Sequence, residues 1–166
     1  MLIIEDGTGK PDAESYATAE DLAMYAAKRG VTVPDDDAAR EVLLVKAMDK
    51  LGEYDARWLG CRASATQALA WPRKDVWLND MRFSTSSIPR ELQYAQLAFA
   101  IEAVKNDLQK TVTPQDTGPV IEKTVDGAVT VKYANPGKVL PVSAFAKPEA
   151  LVNVLLKRGG LFAIRA

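Results

Sequence analysis

The sequence contains no histidine and a single cysteine, Cys61, among its 166 residues. Without imidazole there is no His-ligated zinc, no Ser-His-Asp or Cys-His nucleophile and no histidine general base. One cysteine excludes an internal disulfide and any multi-cysteine metal site. No apolar stretch approaches the roughly 20 residues needed to span a bilayer. The opening MLIIEDGTGK has only a short apolar run before acids follow, so it is not patterned as a signal peptide. A chain made in a cytoplasm, with no membrane contact, is the expectation. Neither sign of charge dominates: 21 bases stand against 22 acids, which disfavours a free-standing, strongly basic nucleic-acid binder.

What is present is an ordinary core-forming composition, with 48% apolar residues, enough for one domain, or one domain with an arm, that needs no staple. The charge is polarised. Ten acids and four bases fall in residues 1–41, and twelve acids and seventeen bases in 42–166. Such polarity suits head-to-tail packing of like subunits, and equally a solvated acidic face.

Helix signals come first along the chain. Ser15 or Thr18 can cap a helix over about 19–29, with Glu20 and Asp21 in its first turn and Gly30 after its end. Asp35, Asp36 and Asp37 offer caps for a second helix over about 37–54, striped by Leu44, Met48 and Leu51. Residues 55–90 read as irregular, apart from a short helix over about 64–70 that Ser64 can cap. A long helix over about 89–109 follows, with one stripe at Leu97, Ile101, Val104 and Leu108 and another at Leu92, Ala95, Phe99 and Ala103. Residues 119–134 alternate apolar and polar around Asp126-Gly127, the pattern of a β-hairpin. A Pro-rich extended stretch, a last helix over about 148–157 and an apolar tail complete the chain. The expected fold is mainly α: a small bundle of three to four helices, with a C-terminal β-hairpin and extended arm. The expected organisation is a helical body over 1–109 and, over 110–166, the hairpin, arm and short terminal helix.

Catalytic patterns are missing. Gly7-Thr8-Gly9-Lys10 resembles a fragment of a phosphate loop but lacks its full spacing and the Ser/Thr after Lys, and reads as a turn. Cys61 beside Arg62 has no base or resolving cysteine and reads as structural. The Asp triplet reads as helix capping rather than a cation site. No enzyme activity, cofactor or metal is expected.

One region is chemically distinctive. Trp58, Trp71 and Trp77 lie with Arg57, Arg62, Arg73 and Lys74 in the irregular segment, and no acid falls between Arg57 and Lys74. Aromatic rings among cations suit single-stranded nucleic acid, whose bases stack while phosphates meet the charges. The same residues suit core anchors for a long connection, or a subunit interface. The arm offers a second surface. Phe145, Leu161, Phe162 and Ile164 would leave an apolar patch unless they docked on the body, a neighbouring subunit or another protein.

Three stretches resemble a known family: LIIEDGTGKPDAESYAT near the start, WLGCRASATQALAWPR at 58–73, and IPREL at 88–92. Arg57, Trp58, Gly60, Ala63, Gln67, Leu69, Trp71, Pro72 and Arg73 match its central motif position by position. The family comprises tailed-phage and prophage proteins labelled DnaT-like single-stranded DNA-binding, and its architecture looks like that of head–tail connectors (adaptors). That resemblance implies a virion neck protein forming a ring of twelve copies between the portal protein and a tail-side neck or tail-completion protein. Double-stranded DNA would pass transiently through the ring, and Arg57, Trp58, Arg62, Arg73, Lys74 and the arm residues would be interface candidates. The alternative carried by the label is a replication accessory protein binding single-stranded DNA through Trp58, Trp71, Trp77 and the nearby arginines.

Overall fold

Thr18 closes the first helix at its N-terminus. In the computed structural model its hydroxyl accepts from the Asp21 N–H at 3.0 Å, and the Asp21 carboxylate accepts from the Thr18 N–H at 2.9 Å. This reciprocal capping box starts α1 at Ala19–Ala27. Asp36 caps α2, Asp37–Gly52, by accepting from the Ala39 N–H at 3.0 Å. The structure describes residues 1–108, 120–126, 128–133 and 145–157.

A short 3-10 turn, Asp55–Arg57, leads into four two-residue strands: β1 Cys61–Arg62, β2 Arg73–Lys74, β3 Trp77–Leu78 and β4 Met81–Arg82. They form two antiparallel ribbons, β1 with β2 and β3 with β4. Helix α3, Arg90–Glu102, follows. Strands β5, Val120–Asp126, and β6, Ala128–Tyr133, pair antiparallel. Helix α4, Ala146–Asn153, closes the order.

The chain divides into two compact units. The first holds residues 1–108 and resumes at Phe145, so α4 belongs with α1, α2 and α3; the second, 109–144, contains the β5–β6 ribbon. In the first unit α3 is central and meets each of the other three helices. Its face buries Leu92, Ala95, Phe99 and Ala100 completely. Polar ties accompany the apolar ones. Gln96, fully buried, accepts from the Tyr16 N–H at 2.9 Å and donates to Ser15 Oγ at 2.7 Å.

The architecture is mixed α and β, which corrects the expectation of a helical bundle with β structure only at its C-terminal hairpin. The difference lies in residues 55–90. Two ribbons form there because glycine and Asn-Asp supply the left-handed backbone that tight reversals need. The helix expected over 64–70 is absent. Gln67 Oε1 accepts from the Ser64 N–H at 2.8 Å, and Ser64 Oγ turns to Thr66 at 2.9 Å, so the would-be cap is spent on a local loop. Helix α3 stops at Glu102 rather than near 109, and Val104, placed on its apolar stripe by periodicity, is 38% exposed. The β5–β6 register runs from Val120↔Tyr133 to Asp126↔Ala128, and Gly127 lies outside the described residues.

Candidate nucleic-acid interface

The motif at 57–73 folds into a scaffold tied by its own hydrogen bonds, although the buried indole N–H groups of Trp58 and Trp71 have no hydrogen-bond partner among the described residues. Trp58 and Trp71 are 1% and 0% exposed. Their rings meet edge to face at 6.4 Å, and Trp71 meets Phe83 the same way at 6.0 Å. Such aromatic pairs add to the stabilisation that burial itself supplies. Gln67, also buried, donates through Nε2 to the carbonyls of Leu69 at 2.8 Å and Pro72 at 3.0 Å. The Arg73 guanidinium is pulled inward. It donates to the carbonyls of Leu59 at 2.6 Å, Ala70 at 3.1 Å and Gly60 at 3.1 Å. Burial pushes its pKa below the ordinary arginine value, an effect opposed by the charge of Asp55. An arginine whose donors are filled by backbone has little left for phosphate.

Gly60 makes the scaffold possible. Its φ is +65°, and a Cβ there would collide with the Lys74 carbonyl across the β1–β2 ribbon. Gly60→Ala combines a positive-φ penalty with a backbone clash, and is expected to cost about 2–4 kcal/mol. Urea denaturation of the variant checks this; a cost below about 1 kcal/mol would mean the ribbon tolerates wider spacing.

The remaining candidates divide by exposure. Arg57 and Lys74 are exposed. The Arg57 guanidinium lies 5.7 Å from the Tyr54 ring. Arg62 is held by Asp55, both carboxylate oxygens at 3.2 Å. Phe145, the residue before α4, is half-buried, its ring 6.2 Å from that of Phe99. Leu161, Phe162 and Ile164 lie outside the described residues.

The scaffold presents the β3–β4 hairpin. Val76 is fully buried and Leu78 packs on the core. Alternation therefore turns Trp77 outward, at 63% exposure. Asn79 and Asp80 both have positive φ, 51° and 62°, as a type I′ hairpin turn requires. Trp77 is registered opposite Arg82, so the indole and the guanidinium share the outer face. Arg82 reaches Asp75 at 3.6 Å, with both side chains about two-thirds exposed or more. Met81, at the hairpin tip, is 70% exposed. Lys74 stands three residues before β3 begins. Sequence reasoning placed Trp77 among the DNA-binding candidates but missed Arg82 and Met81. The available signal was WLNDMR: an Asn-Asp pair between residues suited to a ribbon.

The Gly7-Thr8-Gly9-Lys10 loop is a cradle filled from within. Glu5, 1% exposed, accepts from the N–H groups of Gly7 at 2.8 Å, Gly9 at 2.9 Å and Lys10 at 2.8 Å. Those amides are not available to a phosphate. Among the described residues no cluster of acids and cysteine could hold a metal, and no helix is long and apolar enough to cross a membrane.

Over residues 1–166 the chain matches the family described as "Putative DnaT-like ssDNA binding protein". The chain belongs to that family. No curated protein and no solved structure matches it. The match corrects the connector expectation: the family description is one of single-stranded DNA binding, and nothing supports a virion neck, connector or portal role.

Proposed function

We propose that this chain binds single-stranded DNA, with the β3–β4 hairpin as its base-stacking surface. The observation that carries this reading is the outward Trp77 beside Arg82, in a chain of a DnaT-like family. An exposed indole offers a flat face to any base, and an adjacent guanidinium meets the phosphate. Trp71 meets Phe83 at the hairpin's base, and the buried Trp58 and Trp71 take no part in stacking. Near-neutral net charge and the acids Asp75 and Asp80 beside the hairpin limit the electrostatic component. Stacking therefore supplies a large share of the affinity, and duplex DNA, whose bases are already stacked, binds less well.

The test is titration with an oligothymidylate at low salt. Trp77 is the exposed indole of the three, so the strand is expected to quench its emission. Trp77→Ala is expected to weaken binding by about 1–3 kcal/mol, roughly 5- to 150-fold in Kd, when followed by anisotropy of a labelled strand. Failure of the unaltered protein to bind, or equal affinity of the variant, refutes the assignment.

A further inference from the structure

A second set of cations lies just after α1 and at the start of α3, outside the Trp77 hairpin. Arg29 follows the end of α1, with its guanidinium carbon 3.4 Å from the centre of the Tyr25 ring. The Tyr25 and Tyr94 rings are 5.4 Å apart, and Arg90, the first residue of α3, lies 4.7 Å from the Tyr94 ring. The result is a row: Arg29, Tyr25, Tyr94, Arg90. Lys28 and Arg29 line a groove of about 240 Å³ beside the tyrosines.

Stacking on a ring holds a guanidinium flat and leaves its edge donors for a planar or tetrahedral anion. Arg29 spends Nη1 on the Tyr25 carbonyl at 3.1 Å, which fixes it further. Among the described residues none of Lys28, Arg29 and Arg90 has an acidic side chain within ion-pair distance. The one carboxylate lining the groove, Asp21, is turned to Thr18, accepting from its N–H at 2.9 Å and its hydroxyl at 2.8 Å. A cation in a first turn opposes the helix dipole, and Arg90 is held there by its i,i+4 contact with the Tyr94 ring.

We infer that Lys28, Arg29 and Arg90 form a phosphate clamp, a second contact for the DNA backbone separate from the stacking hairpin. This rests on the single-strand reading above. Arg82 and Arg90 are eight residues apart, so their backbones lie within about 29 Å of each other. One strand of the usual site size, about 4–16 nucleotides, reaches from the hairpin to the clamp.

The experiment is the salt dependence of binding of the full chain to a labelled oligothymidylate, for the unaltered protein, Arg29→Gln/Arg90→Gln, and Trp77→Ala. Each phosphate contact contributes about 0.7 to the slope of log K against log salt on a single strand. The double variant is expected to flatten the slope by about 1.4 while leaving the quenching of Trp77 at saturation intact. Arg90→Lys keeps the charge and is expected to keep the slope. Thermal melting accompanies each variant; if losing Arg29 unfolds the helix end, Arg90→Gln alone is expected to flatten the slope by about 0.7. An unchanged slope in folded variants, with Trp77 still quenched, overturns the clamp and leaves the single-strand reading standing. If the unaltered protein binds no strand, both fall together.

Discussion

Trp71→Ala is expected to destabilise the first unit by about 3–5 kcal/mol, a large part of the stability of a domain this size. Trp71 is fully buried and holds two other aromatic rings, those of Trp58 and Phe83, in edge contact. Its removal leaves a cavity that neighbours pinned by backbone hydrogen bonds cannot collapse to fill. The Trp71 backbone N–H donates to the Tyr16 hydroxyl at 3.0 Å; alanine keeps that donor, so the expected loss is that of the ring alone. Urea denaturation followed by far-UV circular dichroism measures the loss. Trp77→Ala is the matched control: the same residue type, exposed, is expected to change stability by at most about 0.5 kcal/mol. A loss below about 1 kcal/mol at Trp71 would mean that the aromatic chain is not a structural unit.

Glu5→Ala is expected to cost a further large amount, about 3–5 kcal/mol. The buried Glu5 carboxylate is the acceptor for three backbone N–H groups, that of Gly7 buried and those of Gly9 and Lys10 half-buried. Alanine leaves all three without that acceptor, at about 1–3 kcal/mol each where water does not enter. Glu5→Gln keeps one acceptor oxygen, which serves Gly7 and Gly9, and turns an amide toward the Lys10 N–H. Its expected cost is smaller, about 1–3 kcal/mol. The ordering, Ala above Gln above the unaltered protein, is what denaturation should show. Equal stabilities would mean that solvent replaces the carboxylate. Gly7 reinforces the loop. Its φ is +106°, and a Cβ there would collide with the Ser86 carbonyl, so this loop also anchors the segment leading into α3.

Local chemistry made two helices legible in the sequence. Thr18 with Asp21, and Asp36 before Asp37, are caps whose partners lie within three residues, and α1 and α2 start where those caps stand. Ends were harder. The apolar period of α3 runs on to Leu108, which is buried although the chain leaves the helix after Glu102. A stripe reports burial, and burial continues through turns. The ribbon of 61–62 with 73–74 was not legible, because its pairing depends on Gly60 lying against Lys74 and on Arg73 capping the carbonyls of Leu59 and Gly60, all non-local. The candidate site was half legible. Composition gathered the tryptophans and cations into one segment but could not divide them. Trp58 and Trp77 are the same residue type among similar neighbours, and tertiary packing alone sends one inward and the other out. The family resemblance carried the motif correctly but attached a virion role that the family match does not support.

The contact between Trp58 and the C-terminal segment decides how late in synthesis the first unit can close. Trp58 is bridged to Leu156, with the Leu59 N–H on the Leu155 carbonyl at 3.0 Å and the Lys157 N–H on the Arg57 carbonyl at 2.8 Å. Nearly a hundred residues of chain separate the two sides of this seam. Contacts so distant along the chain close late. On a ribosome adding residues from the N-terminus, the tryptophan layer waits open while 109–144 is made and emerges. It can seal only when α4 and the four residues after it have left the exit tunnel, and until then the nascent chain exposes apolar surface that the finished protein hides.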